Sequence, residues 1–211
     1  MPVQVHTQSV SDHSAIHGPS KAYLCIKRIC DVLFAVFGLV VLFVPMLVVS
    51  LMIKCESPGP VLFRQQRMGL GGKPFTIFKF RTMRQDAPSE MATLDFKDSS
   101  DYITKFGSFL RRSSLDEVPQ LLNILRGDMS FVGYRPVCLT EEQLNENRLK
   151  SGVFALRPGI TGLAQVKGRD TLRSTEKVVY DQQYVQQCSA RLDIWCCLQT
   201  VKTAISGKGA I

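Results

Sequence analysis

From Val32 to Ile53 the chain runs for 22 residues without a charge, dominated by Val, Leu, Phe and Met. At about 1.5 Å of rise per residue a helix of that length reaches ~33 Å, enough to cross a hydrocarbon core. The run begins too far from the N-terminus, and without a small-residue cleavage site, to be a removable signal peptide. A core helix of a soluble protein rarely runs so long without a charge, so burial in a membrane is expected. Lys21, Lys27 and Arg28 precede the run, and Lys54, Arg64, Arg67 and Lys73 follow it. A spanning helix usually carries its positive residues on one side; two positive flanks are expected if both ends return to the cytoplasm. Pro45 removes a backbone donor past the middle and bends the helix. A bent helix that enters and leaves one leaflet fits these facts, and so does a tilted, kinked spanning helix.

Beyond the apolar run the periodicity changes. Pro60 to Met83 predicts a β-hairpin, with Gly69 to Gly72 in the turn. Alternation in its second strand sets Phe78 and Phe80 on one face, and Lys79 and Arg81 on the other with Phe75 and Ile77. A solvated basic face is the ordinary meaning of two charges on a strand, but Phe75 and Ile77 imply that this face is partly covered. Asp86 to Asp101 is acidic and polar, a predicted loop. Ile103, Phe106, Phe109 and Leu110 then recur at helical spacing beside Lys105, Arg111 and Arg112. That amphipathic helix suits a headgroup layer or a soluble core equally well. Ile194, Leu198, Val201 and Ile205 form a last apolar stripe, with Trp195 alongside. No repeat or linker divides the chain. The expected architecture is α+β and mostly helical: a polar tail over 1–20, a re-entrant membrane helix over 21–55, and a cytoplasmic catalytic domain over 56–211 built on a β-hairpin and interfacial amphipathic helices.

Charge narrows the partners. With 26 Lys+Arg against 18 Asp+Glu, the formal charge of +8 suits nucleic acid, an anionic membrane or a phosphorylated substrate. The apolar run beside the basic residues already accounts for the charge, which disfavours nucleic acid. The seven cysteines are scattered without a C-x-x-C pair and predict free thiols in a reducing compartment. All three histidines, His6, His13 and His17, lie in the polar tail. Chemistry in the body of the protein must therefore run without imidazole, and no cysteine has a candidate base beside it.

A carboxylate is then the natural nucleophile. Ser114-Leu115-Asp116-Glu117-Val118-Pro119-Gln120 opens a predicted helix that Gly127 ends. Ser114 and Glu117 have the spacing of a capping box, so both acids have an ordinary reading as first-turn residues. They also have a chemical one: Asp116 attacking phosphorus while Glu117 holds a divalent cation such as Mg2+. Downstream, Gly133-Tyr134-Arg135-Pro136 offers a rigidly held guanidinium for phosphate, and Arg157-Pro158-Gly159-Ile160-Thr161-Gly162 a turn-rich loop with backbone free for a ligand.

Taken in order, Lys27-Arg28-x-x-Asp31, Pro58-Gly59-Pro60-Val61, Phe78-Lys79-Phe80-Arg81-Thr82-Met83, Ser114-Leu115-Asp116-Glu117-x-Pro119-Gln120, Gly133-x-Arg135-Pro136 and Arg157-Pro158-Gly159-Ile160-Thr161-Gly162 resemble the bacterial sugar transferase family. These are the monotopic phosphoglycosyl transferases that start glycan assembly on polyprenyl phosphate. The resemblance runs from about Lys21 to the C-terminus and is closest to the small form of the family, a catalytic unit without extra spanning helices. It implies that Asp116 is a nucleophile forming a covalent phosphosugar intermediate, that Glu117 helps bind Mg2+, and that Arg135 contacts phosphate. It also implies a re-entrant helix broken at a Ser-Pro pair. Two positions depart from the pattern. Val44 precedes Pro45, losing a hydroxyl that could satisfy a freed carbonyl, and Tyr134 replaces the first proline of Gly-Pro-Arg-Pro, implying a looser Arg135 loop or a changed sugar preference.

The expected reaction transfers a sugar 1-phosphate from a UDP-sugar to polyprenyl phosphate at the cytoplasmic face of the bacterial inner membrane, feeding downstream glycosyltransferases of capsule, exopolysaccharide, O-antigen or glycoprotein assembly. Catalysis is expected from Asp116 and Glu117, with substrate held by Lys79, Arg81, Arg135, Pro136, Arg157, Gly159 and Thr161. Two rivals stand beside it. In one, lipid phosphate attacks directly and Asp116 is only a metal ligand. In the other, the chain is a non-catalytic basic module that docks on anionic lipid and recruits glycan-assembly partners.

Overall fold

The computed structural model describes residues 18–87, 102–168 and 171–206. The histidine-bearing tail and most of the acidic stretch 86–101 lie outside these residues. The fold is mostly helical α+β, as predicted. Helix α1, Lys21–Glu56, contains the whole apolar run, starts on an N-cap at Ser20 whose side chain accepts from Tyr23 N, and continues through Pro45 without interruption.

Both ends of α1 are tied to the same body. Near its start, Tyr23 Oη and Lys27 Nζ meet Asp193 Oδ2 at 2.8 and 2.6 Å. Arg28 donates to the carbonyls of Ile124 and Leu125, and the buried Asp31 accepts from Ser130 Oγ and Phe131 N. In the middle, Ala35, Leu39 and Leu42 pack with Ile77, Leu121, Ile124 and Met129. Near its end, Met46, Val49 and Ile53 pack with Phe80 and Leu110, and Glu56 Oε1 accepts from Phe106 N. The inward stripe thus recurs every three or four residues from Asp31 to Ile53, one face of a helix. On the other faces, fourteen large apolar side chains from Ile26 to Met52 are exposed. Covering each is worth roughly 1 kcal/mol or more. Together they rival the ~5–15 kcal/mol that holds an ordinary domain folded.

The hairpin forms as predicted, β1 (Leu62–Met68) against β2 (Pro74–Phe80), antiparallel with Leu62 opposite Phe80 and Met68 opposite Pro74. Gly71 and Gly72 close it at φ 66° and 70°, where a Cβ would be strained. Ile77 is buried as well as Phe78 and Phe80, so β2 is covered on both faces. Asn123 fastens it: Oδ1 accepts from Phe78 N at 3.0 Å and Nδ2 donates to Thr76 O at 2.7 Å.

Helix α2 (Lys105–Arg112) forms at the amphipathic segment, with Phe109 exposed. The next segment departs from expectation. Ser114 takes a left-handed conformation, φ 57°, and makes no side-chain cap; Leu115–Glu117 form a 3-10 turn, and α3 (Gln120–Arg126) begins only after Pro119. The capping box is therefore absent, because a left-handed Ser114 cannot aim its hydroxyl at the turn that follows. Gly127 ends α3 at φ 92°, as predicted.

Strands β3 (Ser130–Val132) and β4 (Gly159–Thr161) form a short parallel pair. Between them lies α4 (Glu142–Lys150), and α5 (Leu163–Lys167), α6 (Ser174–Gln187) and α7 (Ala190–Ser206) complete the chain order. Val132, Leu156, Leu163, Tyr184, Val185 and Cys196 form a core that Tyr23 and Leu24 of α1 join. Ile194, Leu198 and Val201 of α7 face outward. All seven cysteines are free thiols.

Candidate active site

Three segments far apart in sequence meet at one carboxylate. Lys79 Nζ, brought by the pinned strand β2, lies 2.7 Å from Glu117 Oε1; Arg135 Nη2, from the loop after β3, lies 3.0 Å from the same atom. The 3-10 turn that carries Glu117 also carries Asp116, which is 9% exposed. Among the described residues, the Asp116 carboxylate receives no hydrogen bond. Arg111, at the end of α2, bonds Thr82 Oγ1 at 2.9 Å and adds positive charge near Asp116.

The two acids are tuned in opposite directions. Burial pushes the Asp116 carboxyl above the ordinary carboxylate range; Lys79 opposes the shift, Glu117 adds to it, and Arg111 and Arg135 oppose it less strongly. Burial also pushes Glu117 upward, but the charges and hydrogen bonds of Lys79 and Arg135 outweigh it and hold the carboxyl far below its usual range. Glu117 is thus a fixed anion that gathers cations. Asp116 is a desolvated carboxylate with raised basicity and open lone pairs.

Of the residues read from sequence as substrate ligands, Lys79 and Arg135 converge here, and the buried Pro136 carries the exposed Arg135 outward. The others are set elsewhere. Arg81 is buried and donates to the carbonyls of Ile53, Ser57 and Pro58, closing the C-terminal end of α1. Arg81 lies just past the end of β2, and its side chain reaches back to the helix end while Lys79 reaches Glu117. Arg157 Nε donates to Gly127 O at 2.8 Å, capping α3 beside Arg28. Gly159 N donates to Tyr134 O, and Thr161 O accepts from Gly133 N, both at 2.8 Å, so these two hold the Arg135 loop rather than face a ligand. A Cβ on Gly133 would stand 2.3 Å from Arg157 O, so only glycine fits where the strands meet. Tyr134 is 1% exposed and packs edge-on to Phe154 at 5.4 Å. Its ring fills a small core with Val153 and Phe154.

Arg111 was read only as the polar side of an amphipathic helix. Its place five residues before Asp116 is the signal that could have marked it. Among the described residues no group of three or more His, Cys, Asp or Glu could hold a metal by itself. A pair of carboxylates still fits Mg2+, which keeps waters and takes one or two protein oxygens with substrate phosphates. Glu117 Oε2 carries no hydrogen bond among the described residues and is the oxygen such an ion would meet.

A family model described as bacterial sugar transferase matches residues 22–207. The chain belongs to the bacterial sugar transferase family. Membership makes it an enzyme, a phosphoglycosyl transferase by class. It is 39% identical over 225 residues to a UDP-glucose:undecaprenyl-phosphate glucose-1-phosphate transferase of Caulobacter vibrioides, covering 95% of this chain and 83% of that one. It is 40% identical over 195 residues to a transferase of the same description from Xanthomonas campestris pv. campestris, covering 89% of this chain and 40% of the relative. An Aeromonas hydrophila UDP-N-acetylgalactosamine-undecaprenyl-phosphate N-acetylgalactosaminephosphotransferase is 37% identical over 198 residues, covering 91% and 46% respectively. The chain therefore spans most of the first relative and less than half of the other two.

The raised Asp116 carboxyl predicts a stability signature. A carboxyl raised by folding stabilises the native state below its unfolded pKa, and that contribution is lost as pH rises through the folded value. At neutral pH the ionised Asp116 therefore costs stability, so Asp116→Asn should melt at the same or a higher temperature than the wild type. The gap should close on acidification. A lower melting temperature at neutral pH would make Asp116 a structural residue.

Proposed function

We propose that this chain transfers a sugar 1-phosphate from a UDP-sugar to a polyprenyl phosphate, releasing UMP, with Asp116 as the nucleophile. The observation that carries this reading is the buried Asp116, free of hydrogen bonds among the described residues, beside a Glu117 that holds Lys79 and Arg135. In the first half-reaction an Asp116 carboxylate oxygen attacks the sugar-bearing phosphorus. The bond from that phosphorus to the bridging oxygen breaks, and UMP leaves with the electron pair. In the second, an oxygen of the polyprenyl phosphate attacks the same phosphorus, freeing the Asp116 carboxylate and leaving a polyprenyl diphosphate sugar. A carboxylate needs no base to attack, which agrees with a described body free of histidine.

Lys79 and Arg135 supply positive charge where the diphosphate bears negative charge. Phosphoryl transfer depends mainly on such positioning and electrostatics. In the resting protein Glu117 keeps the two cations in place. A bound Mg2+, met by Glu117 and substrate oxygens, would neutralise the pyrophosphate. The relatives named for glucose and N-acetylgalactosamine transfer define the sugars to try first, and the product would open glycan assembly for downstream glycosyltransferases.

The proposed setting is the bacterial inner membrane, with α1 held in the cytoplasmic leaflet as a re-entrant element. Its two ends bond to one body, and the remaining faces expose the fourteen apolar side chains. Cysteines placed before Lys21 and after Lys73 should both resist an impermeant thiol reagent in intact cells. Labelling of only one of them would contradict the placement.

The full chain in nanodiscs, given Mg2+, undecaprenyl phosphate and UDP-glucose, UDP-galactose or UDP-N-acetylgalactosamine, should release UMP with at least one sugar. Asp116→Asn should lower that rate by roughly a thousandfold or more, as removal of a nucleophile does. The rate should also fall as pH drops through the raised pKa of Asp116. No UMP from any sugar would favour the membrane-docking module instead.

A further inference from the structure

Arg148 in α4 and Asp181 in α6 are each 1% exposed. Arg148 Nε and Nη2 donate to Asp181 Oδ2 at 3.0 and 2.6 Å. Arg148 Nη1 donates to the backbone carbonyl of Arg135 at 2.9 Å. Replacing such a buried pair by apolar side chains of similar volume is often neutral or stabilising, so stability alone is a weak reason for it. Its geometry supplies another.

The Arg135 loop is pinned at three successive residues. Gly133 N donates to Thr161 O and Tyr134 O accepts from Gly159 N, which are strand contacts; Arg135 O is held by a side chain, Arg148. The same guanidinium lies 5.3 Å from the centre of the Tyr134 ring. Fixing the carbonyl of residue 135 fixes the direction in which its own side chain leaves the backbone, toward Glu117 Oε1.

We infer that the buried Arg148–Asp181 pair is a positioning device for Arg135, holding its guanidinium where a diphosphate binds. The inference rests on the transferase reading above. Arg148→Lys keeps a cation for Asp181 but loses the fork that reaches the Arg135 carbonyl. In the full chain it should lower kcat/KM for UMP release by about tenfold to a hundredfold, the scale of an ångström-level misplacement. In an Arg135→Ala background the same substitution should change the remaining rate by less than about twofold, because the residue being positioned is gone. The charge-free double variant Arg148→Met with Asp181→Leu gives the same cycle should Arg148→Lys fail to fold.

Equal fold-losses in both backgrounds would make the pair a structural support and overturn the inference, as would wild-type kcat/KM in Arg148→Lys. In either case the transferase reading would survive. A wild-type chain that releases no UMP would overturn that reading, and this inference with it.

Discussion

The two cations held on Oε1 of Glu117 are the interaction on which the site depends. A carboxylate withdrawn from water costs several kcal/mol unless cations meet it, and Lys79 and Arg135 meet it from opposite parts of the chain. Each needs its own support. Lys79 is in reach because Asn123 fastens β2 to α3. Arg135 is in reach because β3 and β4 run close enough for glycine alone at residue 133. The 3-10 turn that presents Glu117 presents Asp116 in the adjacent position, so assembling the cations around one acid leaves the other desolvated and, among the described residues, without a hydrogen bond.

The long apolar helix belongs to the same construction. Its inward stripe supplies side chains to two of the clusters under the hairpin and α3, and its ends are closed by Asp193 and Arg81. The element that would sit in lipid is thus also the floor of the domain that bears the chemistry. A substrate with a lipid tail and a phosphate head would meet both without a separate docking module. The outward residues of α7 and Phe109 of α2 add further apolar surface.

Much of this was legible in the residues. The uncharged run, the hairpin, α2 and the Gly127 stop follow from periodicity and turn chemistry, which are local. Asp116 and Glu117 stood out because the sequence has no histidine beyond residue 17, and the structure gathers Lys79 and Arg135 on Glu117. The misplacements have a common cause. Alternation gives a strand residue its face but not its reach, so Arg81 was set beside Lys79 although its guanidinium turns back to α1. The Gly159 and Thr161 backbone looked available to a ligand because nothing local shows that a parallel strand will claim it. Ser114 and Glu117 had the spacing of a cap, but a left-handed Ser114 broke it. Arg148 and Asp181 sit on separate helices and carry no local signature at all, and burial alone reveals them.

The central claim is that Asp116 is the atom donor to phosphorus. The direct measurement is the mass of the Asp116-containing peptide after the full chain is incubated with Mg2+ and a UDP-sugar that it turns over, with no lipid acceptor present. The account predicts a mass increase of one phosphosugar on that peptide, with UMP released in a burst stoichiometric with enzyme and none of either in Asp116→Asn. An unmodified peptide with no UMP until polyprenyl phosphate is added would contradict it, and would assign the attack to the lipid phosphate.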